Sequence, residues 1–223
     1  MTFFETLQSE TAVERDALLA VPIIGRALAG DIHHEEYAAF LVQAYHHVKH
    51  TVPLLMATGA RLPESREWLR EAIAEYIEEE LGHQEWILND LEACGYQREQ
   101  ARRSEPALAT ELMVSYAWDT VTRLDPVGFF GMVHVLEGTS VRIAGQAADR
   151  IRAALGLPKQ AFSYLYSHGA LDQQHVEFFE RLMNRLDDPA DQSAVIHSAR
   201  VFYRLYADVF RSIDRAQARA LAA

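Results

Sequence analysis

The stretch His168-Gly169-Ala170-Leu171-Asp172-Gln173-Gln174-His175 offers two imidazoles and a carboxylate at spacings of four and three residues. On a helix, positions i, i+4 and i+7 share one face, so His168, Asp172 and His175 form a single stripe. Such a set suits a divalent transition metal, above all iron. The same residues also serve as a solvated polar face, or as satisfied histidines of a core helix.

A second cluster reads Glu78-Glu79-Glu80-Leu81-Gly82-His83. Glu80 precedes His83 by three residues and Glu79 precedes it by four, so either carboxylate can share a metal with that imidazole. Glu-x-x-His on a helix is the arrangement of carboxylate-bridged di-iron bundles. An acidic run by itself is ordinarily a solvated face. Gly82 in mid-helix costs about 1 kcal/mol relative to alanine, which predicts that something approaches the backbone there.

The third cluster is Met132-Val133-His134-Val135-Leu136-Glu137, where Glu137 interrupts an apolar run. A buried carboxylate needs a partner: a metal, an arginine such as Arg142, or a proton. His134, one turn earlier, is a further ligand or a hydrogen-bonding support for one. His46, His47 and His50 cannot all point inward, because adjacent helical residues differ by about 100°. They read as pocket lining, His47 foremost, together with Tyr45, Tyr164 and Tyr166. His33, His34 and His197 read as exposed or capping residues.

The elements that must position these groups are helical throughout. Apolar residues recur at spacings of three and four, and proline and glycine punctuate long segments. The expected segments are 3–19, 23–29, 33–59 with a kink at Pro53, 64–94 closed by Gly95, 106–123, 126–154, 158–186 and 189–219. The stretch Gln97 to Arg103 reads as a linker turn. With no repeat and no long linker, this is an all-α, single-domain bundle of about seven helices over residues 1–223.

Composition removes several function classes. The 223 residues include 21 Lys and Arg against 32 Asp and Glu, a formal charge of −11, with a pI near 5.3. A nucleic-acid phosphate backbone would meet no basic surface. Cys94 is the single cysteine, so no internal disulfide forms. The N-terminus lacks a basic segment followed by an apolar run, and no stretch of about eighteen apolar residues spans a membrane. A cytoplasmic location is the expectation.

At Glu80-x-x-His83, Glu137 and His168-x-x-x-Asp172-x-x-His175 the chain resembles the haem-oxygenase-like superfamily. Within it, the similarity is to the branch of TenA- and PqqC-type proteins and haem-oxygenase-like di-iron oxidases and oxygenases. The resemblance covers most of the chain and implies one seven-helix domain. It also implies activation of dioxygen at iron to oxidise a small molecule, with Glu80, His83, Glu137, His168, Asp172 and His175 as ligands. Some family members place a carboxylate seven residues before the histidine of the second cluster, where this chain has Tyr76; Glu80, with Glu79 as substitute, must then supply it. Thiaminase-type chemistry needs a pocket cysteine, and Cys94 lies at a helix end beside Gly95. Pyrroloquinoline-quinone-type oxidation needs a basic pocket, and the basic residues here are dispersed.

The expected cofactor is therefore one or two iron ions, with manganese as an alternative, and no haem, which would call for one axial histidine. The expected partners are a small-molecule substrate and dioxygen, neither nucleic acid nor membrane, and a second copy of the chain in a homodimer. A reading of a different class is a metal-free small-molecule binding or regulatory protein, with the polar clusters forming a hydrogen-bond network.

Overall fold

The computed structural model describes residues 1–170 and 172–213, and of residues 168–170 and 172–175 the backbone only. Among the described residues there is no strand. The α-helices run α1 Phe3–Glu10, α2 Ala12–Leu19, α3 Pro22–Ala29, α4 His34–Val48, α5 Thr51–Arg61, α6 Glu67–Glu80, α7 His83–Ala93 and α8 Arg98–Arg103. They continue as α9 Leu108–Thr122, α10 Phe129–Leu155, α11 Ser163–Ala170, α12 Asp172–Met183 and α13 Pro189–Ser212. No described helix is long and apolar enough to cross a membrane.

The long segments expected from periodicity are present, but several consist of two helices in series. Segment 33–59 breaks at Lys49–His50 instead of kinking. The cause is Pro53, whose ring crowds the carbonyl four residues earlier, that of Lys49. Segment 64–94 breaks at Leu81–Gly82, with Gly82 at φ 93°. A Cβ at Gly82 would meet nothing within 4 Å. The glycine therefore serves backbone conformation, and the expected close approach is absent. The expected linker at Gln97 to Arg103 is instead the short helix α8, whose Arg98 and Arg102 both donate to Glu85. The caps follow ordinary chemistry: Asp188 accepts from the Ala190 amide before Pro189 at the head of α13, and Gly156 ends α10 at φ 66°.

Helix α10 is the central element, packing against α3, α11, α12 and α13. Its approach to α13 is close: a Cβ on Gly131 would lie 2.6 Å from the Ala199 amide nitrogen and 2.8 Å from the Val195 carbonyl oxygen. Backbone cannot yield as a flexible side chain does. Gly131→Ala is accordingly expected to lower stability by about 1–3 kcal/mol, read as a lower urea midpoint with an unchanged denaturant slope.

The interior divides into two apolar bodies. One gathers around Phe129, Phe130, Phe202 and Tyr203 between α5, α6, α9, α10 and α13. The other gathers around Tyr37, Leu41, Leu88 and Phe162 between α4, α7, the 3-10 turn Lys159–Phe162 before α11, and the second half of α10. Of the polar candidates, His47, Glu80 and Glu137 lie at the seam where the two meet, beside Leu55, Tyr76 and Phe129 of the first and Val48 and Tyr164 of the second.

Candidate metal centre

Six helices contribute to a cavity of about 60 Å³ at this seam: His47 from α4, Leu55 from α5, Tyr76 and Glu80 from α6, Glu137 and Ser140 from α10, Tyr164 from α11 and Tyr206 from α13. A water needs roughly 10–15 Å³ of such space, so the cavity admits an ion with a few small ligands. Its remaining wall is apolar apart from Thr51, and includes Phe129, Met132 and Val133. Two carboxylates, an imidazole and three phenols thus border a space with little room for competing water.

The break at Gly82 shapes the Glu80/His83 pair. Glu80 ends α6 and His83 begins α7, and the turn between them brings Glu80 Oε2 to 3.1 Å from His83 Nδ1. The His83 side chain is 3% exposed and that of Glu80 15%. His83 also stacks on Trp86 at 4.1 Å between ring centroids. Glu79 is exposed, so of the two candidate carboxylates Glu80 is the one at the cavity. Glu137 is half-buried, less enclosed than its apolar neighbours implied, and borders this cavity and an adjoining one that includes Arg142.

His47 is 2% exposed. Its Nδ1 lies 3.0 Å from the Gln43 carbonyl oxygen; only a protonated nitrogen can donate there, which leaves the lone pair on Nε2. His46 points elsewhere, between Ser104 and Lys49, and His50 faces Trp118. Burial first, then the Lys49 charge, lowers the His46 pKa to about 4. Tyr45 goes with His46 and not with His47, lying under the Lys49 ammonium at 5.3 Å. Tyr166 turns outward and donates to Asp149. Tyr164 alone of these three tyrosines borders the cavity. His33 and His197 are exposed, and His34 packs on Tyr96.

His134 falls on the far side of α10 from Glu80. It is 6% exposed, lies among the rings of Phe4, Phe179 and Tyr203, and its Nε2 has no hydrogen-bond partner among the described residues. Burial holds its pKa down to about 4, so it is neutral. It shares the adjoining cavity with Glu137 and Arg142, and it does not border the one that holds Glu80.

The side chains of His168, Asp172 and His175 lie outside the described residues. Their helices are placed: α11 packs on α10 and α7, and α12 packs on α10. Phe178, three residues after His175, meets the Tyr76 ring at 5.5 Å. The helices bearing this triple therefore flank those bearing Glu137, His83 and Glu80. Among the described residues no three His, Cys, Asp or Glu side chains converge tightly enough to hold an ion alone. The carboxylate–imidazole contact of Glu80 with His83, and Glu137 lining the same cavity as Glu80, have the hard-oxygen and imidazole character that iron or manganese takes; His83 itself is not among the residues lining that cavity.

Two residues that spacing did not single out complete the arrangement. Asp90 on α7 is fully buried and accepts from the Ser163 and Tyr164 amides at 3.0 and 2.9 Å and from the Ser163 hydroxyl. It caps the start of α11, so the helix beginning at His83 fixes the one carrying Tyr164 and His168. Tyr76, the residue at the departure from the family pattern, is 2% exposed and its hydroxyl has no hydrogen-bond partner among the described residues. Burial raises its pKa well above the phenolic value, and Glu137, Glu79 and Glu80 add to the shift. The phenol stays protonated and places a donor at the cavity. Tyr76→Phe is expected to leave stability within about 1 kcal/mol of the parent, since no bond is lost, while lowering turnover. Urea unfolding beside single-turnover rates separates the two effects.

The helical arrangement is the haem oxygenase-like all-α fold. A domain of unknown function with that fold from Shewanella denitrificans superposes with a TM-score of 0.86 at 22% identity, over 99% of this chain and 96% of its own. A TenA homologue from Pseudomonas syringae gives 0.81 at 12% identity over 95% and 92%. Haem oxygenase-1 from Synechocystis, in complex with haem, gives 0.77 at 12% identity over 100% and 96%. No curated protein sequence matches the chain. Residues 38–207 match the family described as iron-containing redox enzymes, and the chain belongs to that family.

Proposed function

We propose that this protein is a non-haem iron-dependent oxidase or oxygenase that uses dioxygen to oxidise a small organic molecule. The observation that carries the reading is the 3.1 Å contact between Glu80 and His83, with Glu80 and Glu137 lining one cavity, in a chain of the iron-containing redox enzyme family. Glu80, His83 and Glu137 would hold the metal from α6, α7 and α10. His168, Asp172 and His175 would complete the set from α11 and α12, with Asp172 as hydrogen-bonding support if a single ion binds. One or two iron ions, or manganese, fit this donor chemistry.

A bound ion supplies the binding and reduction of dioxygen. The chain supplies the rest: the apolar wall of Phe129, Met132 and Val133 limits water, and Tyr76 holds a proton at its hydroxyl. The test is anaerobic reconstitution with ferrous iron followed by metal analysis and oxygen uptake. One to two irons per chain without a porphyrin absorption band, lost in His168→Ala or His175→Ala, supports the proposal. Neither stoichiometric metal nor oxygen uptake overturns it, leaving the metal-free binding or regulatory role.

A further inference from the structure

A second cavity of about 80 Å³ adjoins the first, sharing Ser140, Tyr164 and Tyr206 with it. Along α10 its lining runs from Thr139 to Ile151, twelve residues apart, or roughly 18 Å of helix axis. A volume this small along such a length describes a slot, not a chamber for fused rings.

The slot is open because α10 presents Ala144 and Ala147 to it between the larger Ile143 and Ile151, facing Ile24 and Phe40 on α3 and α4. Its charged member, Glu36, is already engaged: it accepts from both terminal nitrogens of Arg26 at 2.8 and 3.1 Å and from the His33 amide. The hydroxyl of Tyr37 is likewise engaged, donating to the Ala161 carbonyl at 2.7 Å. The lining thus gives a polar ligand little to bond, and removal of hydrocarbon from water is what it offers. Only the end nearest Ser140 and Tyr164 adjoins the cavity of Glu80 and Glu137.

We propose that this slot binds an unbranched hydrocarbon chain of the substrate, with the substrate's polar, reacting end in the neighbouring cavity. The substrate class is therefore amphiphilic and chain-like, and chain length is read along α10 by Ala144 and Ala147. This assignment rests on the proposed oxidase function for the meaning of "substrate", but the binding itself does not require metal.

The experiment uses metal-free full-length protein and a series of straight-chain alcohols from hexanol to tetradecanol, with dissociation constants from calorimetry. Each methylene buried contributes about 0.8 kcal/mol, so affinity is expected to rise about fourfold per carbon and then level off when the slot is full. Ala147→Phe is expected to move that plateau to shorter chains while hexanol binds as in the parent; Ala144→Leu, a smaller intrusion, provides the same test if the first variant does not fold. Affinity independent of length, or a plateau unmoved by both variants, overturns the proposal. Iron uptake without alcohol binding would discard the slot assignment alone, and alcohol binding without iron uptake would discard the oxidase reading alone.

Discussion

Glu80→Ala is expected to abolish stoichiometric iron binding, whereas Glu79→Ala leaves it intact. Glu80 lies at the cavity with its carboxylate against His83, while Glu79, one residue earlier, is exposed. Removing a residue that merely supports a ligand typically costs 10- to 100-fold in metal affinity, and removing a ligand exceeds that. Stability in the absence of metal moves little, because the Glu80 side chain is at a helix end and partly solvated. The decisive measurement is therefore the increment in melting temperature on adding ferrous iron under anaerobic conditions, since a ligand that binds the folded state alone stabilises it. The parent and Glu79→Ala should show the increment and Glu80→Ala should not. An increment retained in Glu80→Ala, or lost equally in both variants, would remove Glu80 from the centre.

Much of this architecture was legible from periodicity, because each long segment carries apolar residues at spacings of three and four. The breaks inside the segments were less so. Pro53 announced a disturbance, but whether a proline bends a helix or ends it depends on what packs beyond it; here α5 departs to pack on α6 and α9. Gly82 is visible in the sequence as an anomaly, but its value lies in a positive φ that turns the chain between Glu80 and His83 and not in a close approach to its backbone. Helical phase separated His47 from His46, since both cannot face one cavity, but which of them faces it depends on tertiary packing. His134 illustrates the opposite limit: being one turn from Glu137 placed it near that residue, yet Glu137 borders two cavities and His134 only the outer one. Asp90 was illegible, because a buried cap joining residues 73 apart has no local signature.

Acid is expected to destabilise the protein well before its carboxylates titrate, and His134 and His46 are the reason. Each has a pKa of about 4 when folded against an ordinary 6.5, with burial as the main cause. A base with a depressed folded pKa adds no penalty above 6.5, where both states are neutral. As pH falls from 6.5 towards 4 the unfolded chain takes up protons that the folded chain refuses, and stability is lost. By pH 5 this amounts to roughly 2 kcal/mol for each histidine, a large share of the 5–15 kcal/mol typical of a folded domain. Glu85, held low by Arg102 and Arg98, adds to the loss only below the usual carboxylate range. Asp90, raised by burial, works in the opposite direction. Urea midpoints at pH 7 and pH 5 are expected to differ accordingly. His50, also lowered by burial and Lys49, adds to the loss. In His134→Phe, whose new ring would stand among Phe4, Phe179 and Tyr203 and whose lost Nε2 had no partner among the described residues, the difference should therefore shrink by the His134 share and not vanish. A difference unchanged in that variant would show that His134 is charged, or bonded to water, in the folded state.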